Sequence, residues 1–259
     1  MAETKKSWQD ISAAMLKHRE QTIAAIEPAV PDPPKELPLN VTGIPKQLLP
    51  ADVISITETP TEKLLQKLAS GGISSTDVTK AFLQRAGLAS KLTNCVTEML
   101  TDRALTRAKY VDDYLATHGP LHGLPISVKE HVSMKGLDIN AGFVSWVGLI
   151  APDDALILKL LRNAGAVFYV RTTEPQALMH LETDNNIYGV TVNPYNTALT
   201  SGGSSDRDRY WRLHPEPSCQ QWAFRLETDE LSVAGWRMVG YDAGERTYRT
   251  CHRTVEHEP

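Results

Sequence analysis

The sequence predicts an α/β layered fold, on three observations. Short β-rich apolar runs alternate with segments whose apolar residues recur every three or four positions, the rhythm of strands interleaved with helices. One of those runs, Ala166-Val167-Phe168-Tyr169-Val170-Arg171, is β-branched and aromatic enough to read as a buried strand. The chain has 259 residues, 41% hydrophobic and 22% charged, which suits a globular protein able to bury a core.

Taken in order, residues 7 to 27 read as a helix, with Trp8, Ile11, Met15 and Leu16 on one face. From Pro28 to Pro50 seven prolines predict an extended segment without helix, because each fixes φ and removes a donor. Thr59-Pro60-Thr61-Glu62 has the form of a capping box, the helix after it carries Leu64, Leu65 and Leu68, and Gly71-Gly72 stop it. Ser75 or Thr76 is expected to cap the next helix, with Val78, Ala81, Phe82 and Leu83 inward. Asn94 to Leu100 reads as a strand. Residues 102 to 118 read as a helix facing inward through Ala104, Ala108, Val111 and Leu115. Gly123 to Lys129 is a second strand, with Pro125 near its start, where a missing donor is tolerated. Residues 153 to 164 are expected to be helical with Leu156, Leu160 and Leu161 as the apolar side, ended by Gly165. After the buried run come a short helix at 176 to 181 and a turn at Asn193-Pro194-Tyr195-Asn196.

Charge and cysteine content exclude several classes. A net charge of -4 and a pI near 6.1 give no overall basic excess for nucleic acid or an anionic membrane. Cys95, Cys219 and Cys251 are an odd number without metal spacing, which argues against a disulfide scaffold and for a reducing compartment. The start is polar, with no secretory h-region, and no apolar run approaches the ~20 residues that span a bilayer. A cytoplasmic address is expected. His122, His131 and His180 do not group as metal ligands, so no metal is expected.

Composition changes after residue 205. Residues 1 to 205 hold all 13 lysines, whereas residues 206 to 259 hold none, 8 arginines, and three of the five tryptophans. Interleaved acidic residues dilute the arginines, so a nucleic-acid-binding arm is not expected.

Two pieces can carry chemistry. Lys129 ends an apolar strand, and a lysine there is ordinarily a solvated surface charge. This one follows a run that should be buried. Burial strips water from an ammonium and pushes its pKa down, leaving a neutral amine that can act as a base near pH 7. Gly202-Gly203-Ser204-Ser205 is a loop where backbone and hydroxyls can approach a small ligand. It is not a phosphate-binding P-loop, because no Gly-Lys-Ser/Thr follows.

Together these segments resemble the amidase signature family. The match runs through Pro125 to Glu130, Lys135-Gly136, Asn140-Ala141-Gly142, Asp154-Ala155, Gly165-Ala166-Val167, Thr172 to Gln176, the turn at 193 to 196 and Gly202 to Ser205, in that order. The proline-rich arm is similar to that of the acetamidase-like branch. The resemblance covers about residues 5 to 205. It implies a mixed β-sheet flanked by helices, incomplete at the C-terminal end. It divides the chain into an N-terminal helix and proline-rich arm (1-58), a partial amidase signature domain (59-205) and an aberrant tail, poorly ordered (206-259).

The implied activity is hydrolysis of the C–N bond of a small carboxamide to acid and ammonia, by a Ser-Ser-Lys triad acting without a cofactor. Lys129 would be the neutral base, and Ser204 the bridging serine, held by a cis peptide in the family. Ser205 would join the same network, and Leu178 would line the substrate pocket beside both serines. The expected partner is the amide substrate, with a homodimer as a compatible assembly.

The family's acylated serine lies in a Gly-Thr-Asp-x-Gly-Gly-Ser segment. Spacing places it near Thr228, where Arg225-Leu226-Glu227-Thr228-Asp229-Glu230-Leu231 stands instead. Ser232 is the nearest serine, without an oxyanion loop around it. Asp206-Arg207-Asp208-Arg209 replaces the family's Gly-Gly-Glu-Gly. A frameshift, a retained intron or a wrong gene model after Ser205 would account for both departures. The competing expectation is then a catalytically inactive fragment, at most a binding remnant.

Overall fold

The computed structural model describes residues 7–114 and 119–202, and the two short strands Ser232–Val233 and Trp236–Arg237. The chain divides into two units, Met1–Phe224 and Arg225–Pro259. The expectations placed on Leu115, on Gly203 to Ser205 and on the character of residues 206 to 259 lie outside the described residues.

The first unit opens with α1 (Trp8–Ala24), whose N-terminus is closed by a reciprocal capping box. The Ser7 hydroxyl accepts from the Asp10 N–H, and the Asp10 carboxylate accepts from the Ser7 N–H. The chain then runs irregularly to Gly43. Two short helices follow, α2 (Ile44–Leu48) and α3 (Ala51–Thr57). The expected helix-free arm is thus corrected. Pro45 stands in the first turn of α2, where a missing N–H costs nothing.

Helix α4 (Thr61–Ala69) corrects a second expectation. Its cap is Pro60, without a side-chain hydrogen bond, while the Thr59 hydroxyl donates back to the Ser55 carbonyl at 2.7 Å. Its end is as expected. The Gly72 N–H donates to Lys67 O and the Gly71 N–H to Leu68 O, with Gly71 at φ 69, the paired bonds that let glycine close a helix. Helix α5 (Ser75–Thr93) is capped by Ser74, one residue earlier than expected, through its hydroxyl and the Asp77 N–H at 2.9 Å. It is buried along most of its length and ends on Asn94 in the left-handed region.

The core sheet comprises β1 (Val96–Met99), β2 (Pro125–Lys129) and β3 (Val167–Thr172), ordered β1-β3-β2. Strand β1 runs antiparallel and β2 parallel to β3, which makes the sheet mixed. All six residues of β3 are buried, as a central strand requires. Helices α1, α5 and α6 (Thr101–Asp113) pack against it. The Phe82 ring of α5 meets the Tyr169 ring of β3 edge-on at 5.8 Å.

Helix α7 (Leu156–Asn163) forms where a helix was expected, with a different face inward. Leu158 is buried at 2% exposure, whereas Leu156 and Leu160 are exposed. The helix expected at 176 to 181 is a single 3-10 turn, Gln176–Leu178, in which Ala177 and Leu178 take positive φ. The turn at 193 to 196 joins β4 (Val192–Asn193) to β5 (Asn196–Thr200), and Asn193 Oδ1 accepts from the Tyr195 N–H. In the second unit β6 (Ser232–Val233) pairs antiparallel with β7 (Trp236–Arg237). Among the described residues no helix is long and apolar enough to cross a membrane.

Candidate active site

The site forms where parallel β2 and β3 end together. Lys129 is opposite Thr172, and the Glu130 N–H donates to Thr172 O at 3.2 Å. Strands paired in this sense deliver successive residues side by side at their C-terminal ends, where α/β sheets collect ligand-binding groups. Lys129 is 7% exposed, Glu130 1% and Glu174 2%. Burial of Lys129 accords with the reading of its strand as interior.

Beyond the strands, Glu130 organises a loop. Its Oε1 accepts from the Asn140 N–H at 2.8 Å and its Oε2 from the Ala141 N–H at 2.9 Å. Ala141 has φ 48 and Gly142 φ 77, so the chain turns sharply there. A Cβ on Gly142 would stand 2.9 Å from the backbone Cα of Gln176. Only glycine permits that approach, and it brings the loop held by Glu130 against the segment that carries Glu174.

Arg171, at 1% exposure, fastens the cluster from below. Nη1 donates to Glu98 Oε1 at 2.5 Å, and Nη2 donates to the carbonyls of Glu130 and of Asp138, the latter at 2.7 Å. On the far side of Glu98, His18 of α1 approaches Oε2 at 3.3 Å. The hydrogen bond to Glu98 raises the His18 imidazole. Burial alone would raise Glu98, but His18 and the Arg171 guanidinium hold it below the ordinary carboxylate range.

Two further buried carboxyls, Glu130 and Glu174, behave oppositely to Glu98. Burial, then the charge of Glu174, pushes Glu130 up to about 8 against the pull of Arg171 and the Asn140 N–H. Burial likewise raises Glu174, while Glu130 and the Lys129 charge pull it down. Burial pushes the neighbouring Tyr188 phenol well up too.

The entrance of the glycine-serine loop reaches the same end of the sheet. The Ser201 N–H donates to Thr191 O at 3.2 Å, and the Thr191 hydroxyl is 2.9 Å from that of Thr173, next after β3. Gly202 follows at φ 70, and among the described residues nothing stands within 4 Å of where its Cβ would be. Ser204 and Ser205 lie beyond the described residues. Leu178 is half-buried on the 3-10 turn after Glu174, its N–H donating to Pro175 O. Residues reasoning from the sequence did not single out are Arg171, Glu174 and Glu98. Their signal was a charge within or beside a run that had to be buried, which demands a partner. Among the described residues no group of three or more His, Cys, Asp or Glu side chains could hold a metal.

The amidase family profile matches residues 77–206, half of the chain. The chain belongs to the amidase family. Among its relatives, an acetamidase of Emericella nidulans is 41% identical over 210 residues, covering 77% of this chain and 37% of that protein. An amidase of Gibberella moniliformis is 45% identical over 164 residues, covering 61% of this chain and 31% of that protein. Among solved structures, a fatty acid amide hydrolase superposes with a TM-score of 0.69 at 35% identity, over 77% of this chain and 37% of its own. This amidase-family chain therefore spans well under half the length of the relatives it matches. The comparison with fatty acid amide hydrolase agrees with the mixed sheet flanked by helices.

Proposed function

We propose that this amidase-family chain takes part in hydrolysis of a small carboxamide to carboxylic acid and ammonia. The observation that carries the reading is the Lys129 amine, buried at the joint end of β2 and β3, at the same end of the sheet as the Ser201–Gly202 entrance. In this reading Lys129, as the neutral amine, takes a proton through Ser204, and Ser205 supports Ser204. Leu178 contacts the substrate, and an acyl-enzyme forms and is hydrolysed. The names of the relatives, acetamidase and fatty acid amide hydrolase, both describe amide substrates and support the reaction class.

Ammonia release from acetamide and from a simple aryl amide tests the reading. Turnover is expected, and Lys129→Ala should lower it by about 10²-fold or more, the usual worth of a positioned base. Turnover unchanged in Lys129→Ala would overturn it.

The second reading, an inactive member of the family, is favoured by one observation. Residues 225 to 231 carry no Gly-Gly-Ser segment that could supply a nucleophile and oxyanion amides. Absence of ammonia at every pH, with a folded protein, would decide for it.

A further inference from the structure

We propose that Glu174 is a positioning residue for Lys129: it shares one proton with Glu130, and the charge on that carboxyl pair governs how readily the Lys129 amine releases its own proton. The part that concerns Lys129 as a base rests on the amidase reading above. The shared proton does not.

The geometry points to it in three steps. First, the Glu130 and Glu174 side chains come within hydrogen-bonding reach, and the segments that carry them are packed together. Glu130 is tied to the Asn140 and Ala141 amides, Gly142 packs on Gln176, and Glu174 lies two residues before that contact. His131, next to Glu130, reaches Glu174 Oε2 at 3.4 Å. Second, Glu174 Oε1 is buried and has no hydrogen-bond donor among the described residues. The Glu174 backbone is held in place from the other side, its carbonyl accepting from Asn185 Nδ2 at 2.8 Å. A buried carboxylate oxygen facing a second carboxyl is tolerated when one of the two carries a proton and donates it. Third, Glu174 feels the charge of Lys129, and both lie at the end of the same strand pair.

Among the described residues, charged and titratable groups face the pair from several elements. Arg171 reaches it from β3, His131 from the chain after β2, and Tyr188 from the loop beyond Asn185, with Glu98 of β1 behind Arg171. Arg171 is shared between Glu98 and Glu130, so it does not neutralise the pair alone. With its proton in place the pair carries one negative charge beside Lys129. Once that proton leaves, near pH 8, it carries two. The second charge holds Lys129 in its ammonium form, so the amine becomes a base only at higher pH.

The test compares the full chain with Glu174→Gln, whose amide can donate to Glu130 and whose pair never carries more than one charge. Two readouts need no activity. Thermal midpoints are measured from pH 5 to pH 9. The raised Glu130 contributes stability below its unfolded value, lost as pH rises toward about 8. The variant keeps the share of that loss that burial causes but not the share that the Glu174 charge causes, so its midpoint relative to the parent should climb with pH. Competitive acetylation of Lys129 by acetic anhydride, read by mass spectrometry, should show its midpoint moved to lower pH by about one unit or more. Where ammonia release is measurable, the basic limb should move with it. A difference in thermal midpoint that is flat across pH, or a Lys129 midpoint that stays put, overturns the proposal. Failure of Glu174→Gln to fold transfers the same test to Glu130→Gln. Absence of ammonia release with both other readouts as expected would sink the amidase reading while leaving the carboxyl pair standing.

Discussion

Arg171 is the buried charge on which the described site hangs. It meets Glu98, the Glu130 carbonyl and the Asp138 carbonyl at once, and a guanidinium fork suits several acceptors better than a point charge does. Arg171→Met fills much of the same space but leaves Glu98 with His18 alone and takes the cation from Glu130. Breaking a buried pair from one side costs about 3–5 kcal/mol. The urea midpoint should fall accordingly with an unchanged slope, and a loss below about 1 kcal/mol would show that the network is solvated. This residue also marks how far the sequence could be read. That Lys129 is interior followed from the apolar run before it. That Arg171 pairs with Glu98 did not follow, because the partners are 73 positions apart and only the antiparallel β1–β3 register brings them together.

At the scale of elements, helix α7 shows a second limit. Its leucines at 156 and 160 keep helical spacing, yet the buried side is set by Leu158, because the face that meets the protein depends on where the preceding chain enters. Leu158→Ala should cost about 2–5 kcal/mol, whereas Leu156→Ser should stay within about 0.5 kcal/mol. Equal losses at both positions would contradict the orientation. At α5 the cap is Ser74 and not Ser75 or Thr76, because several hydroxyls compete there and only geometry decides among them, while at α4 the Thr59 hydroxyl turns back to Ser55 and leaves Pro60 at the cap.

Helix α5 makes the proline-rich arm part of the same core. A Cβ at Gly87 would stand 2.7 Å from Val30 Cγ2 and 3.0 Å from Ile26 Cδ1. In an open helix Gly→Ala gains about 1 kcal/mol. Here Val30 is stiff about χ1 and cannot move aside cheaply. Gly87→Ala should therefore destabilise by about 1–3 kcal/mol, and Val30→Ala in the same chain should recover much of it. A double-mutant cycle in urea with no coupling would place the arm elsewhere than on α5.

For the molecule as a whole, the charges at the sheet fix how stability follows pH. His18 is raised above its ordinary 6.5, so it contributes stability in full below that value and loses it as pH rises through the folded value. Glu130 and Glu174 are raised as well, and their contribution likewise drains away above the ordinary 4.5, for Glu130 over the range up to about 8. Glu98 runs the other way. Held low by His18 and Arg171, it stabilises above 4.5 and ceases to do so as pH falls below that. Since three groups fail on the alkaline side and Glu98 fails on the acid side, the thermal midpoint of the whole chain should peak on the acid side of neutrality and decline toward pH 9. His18→Gln should remove the histidine share of that decline and also shrink the acid limb below 4.5, because His18 and Arg171 together hold Glu98 low and only Arg171 then remains. A midpoint that rises steadily from pH 5 to pH 9 would mean that the buried carboxyls at the end of β2 and β3 are ionised throughout, and would take away the electrostatic frame around Lys129.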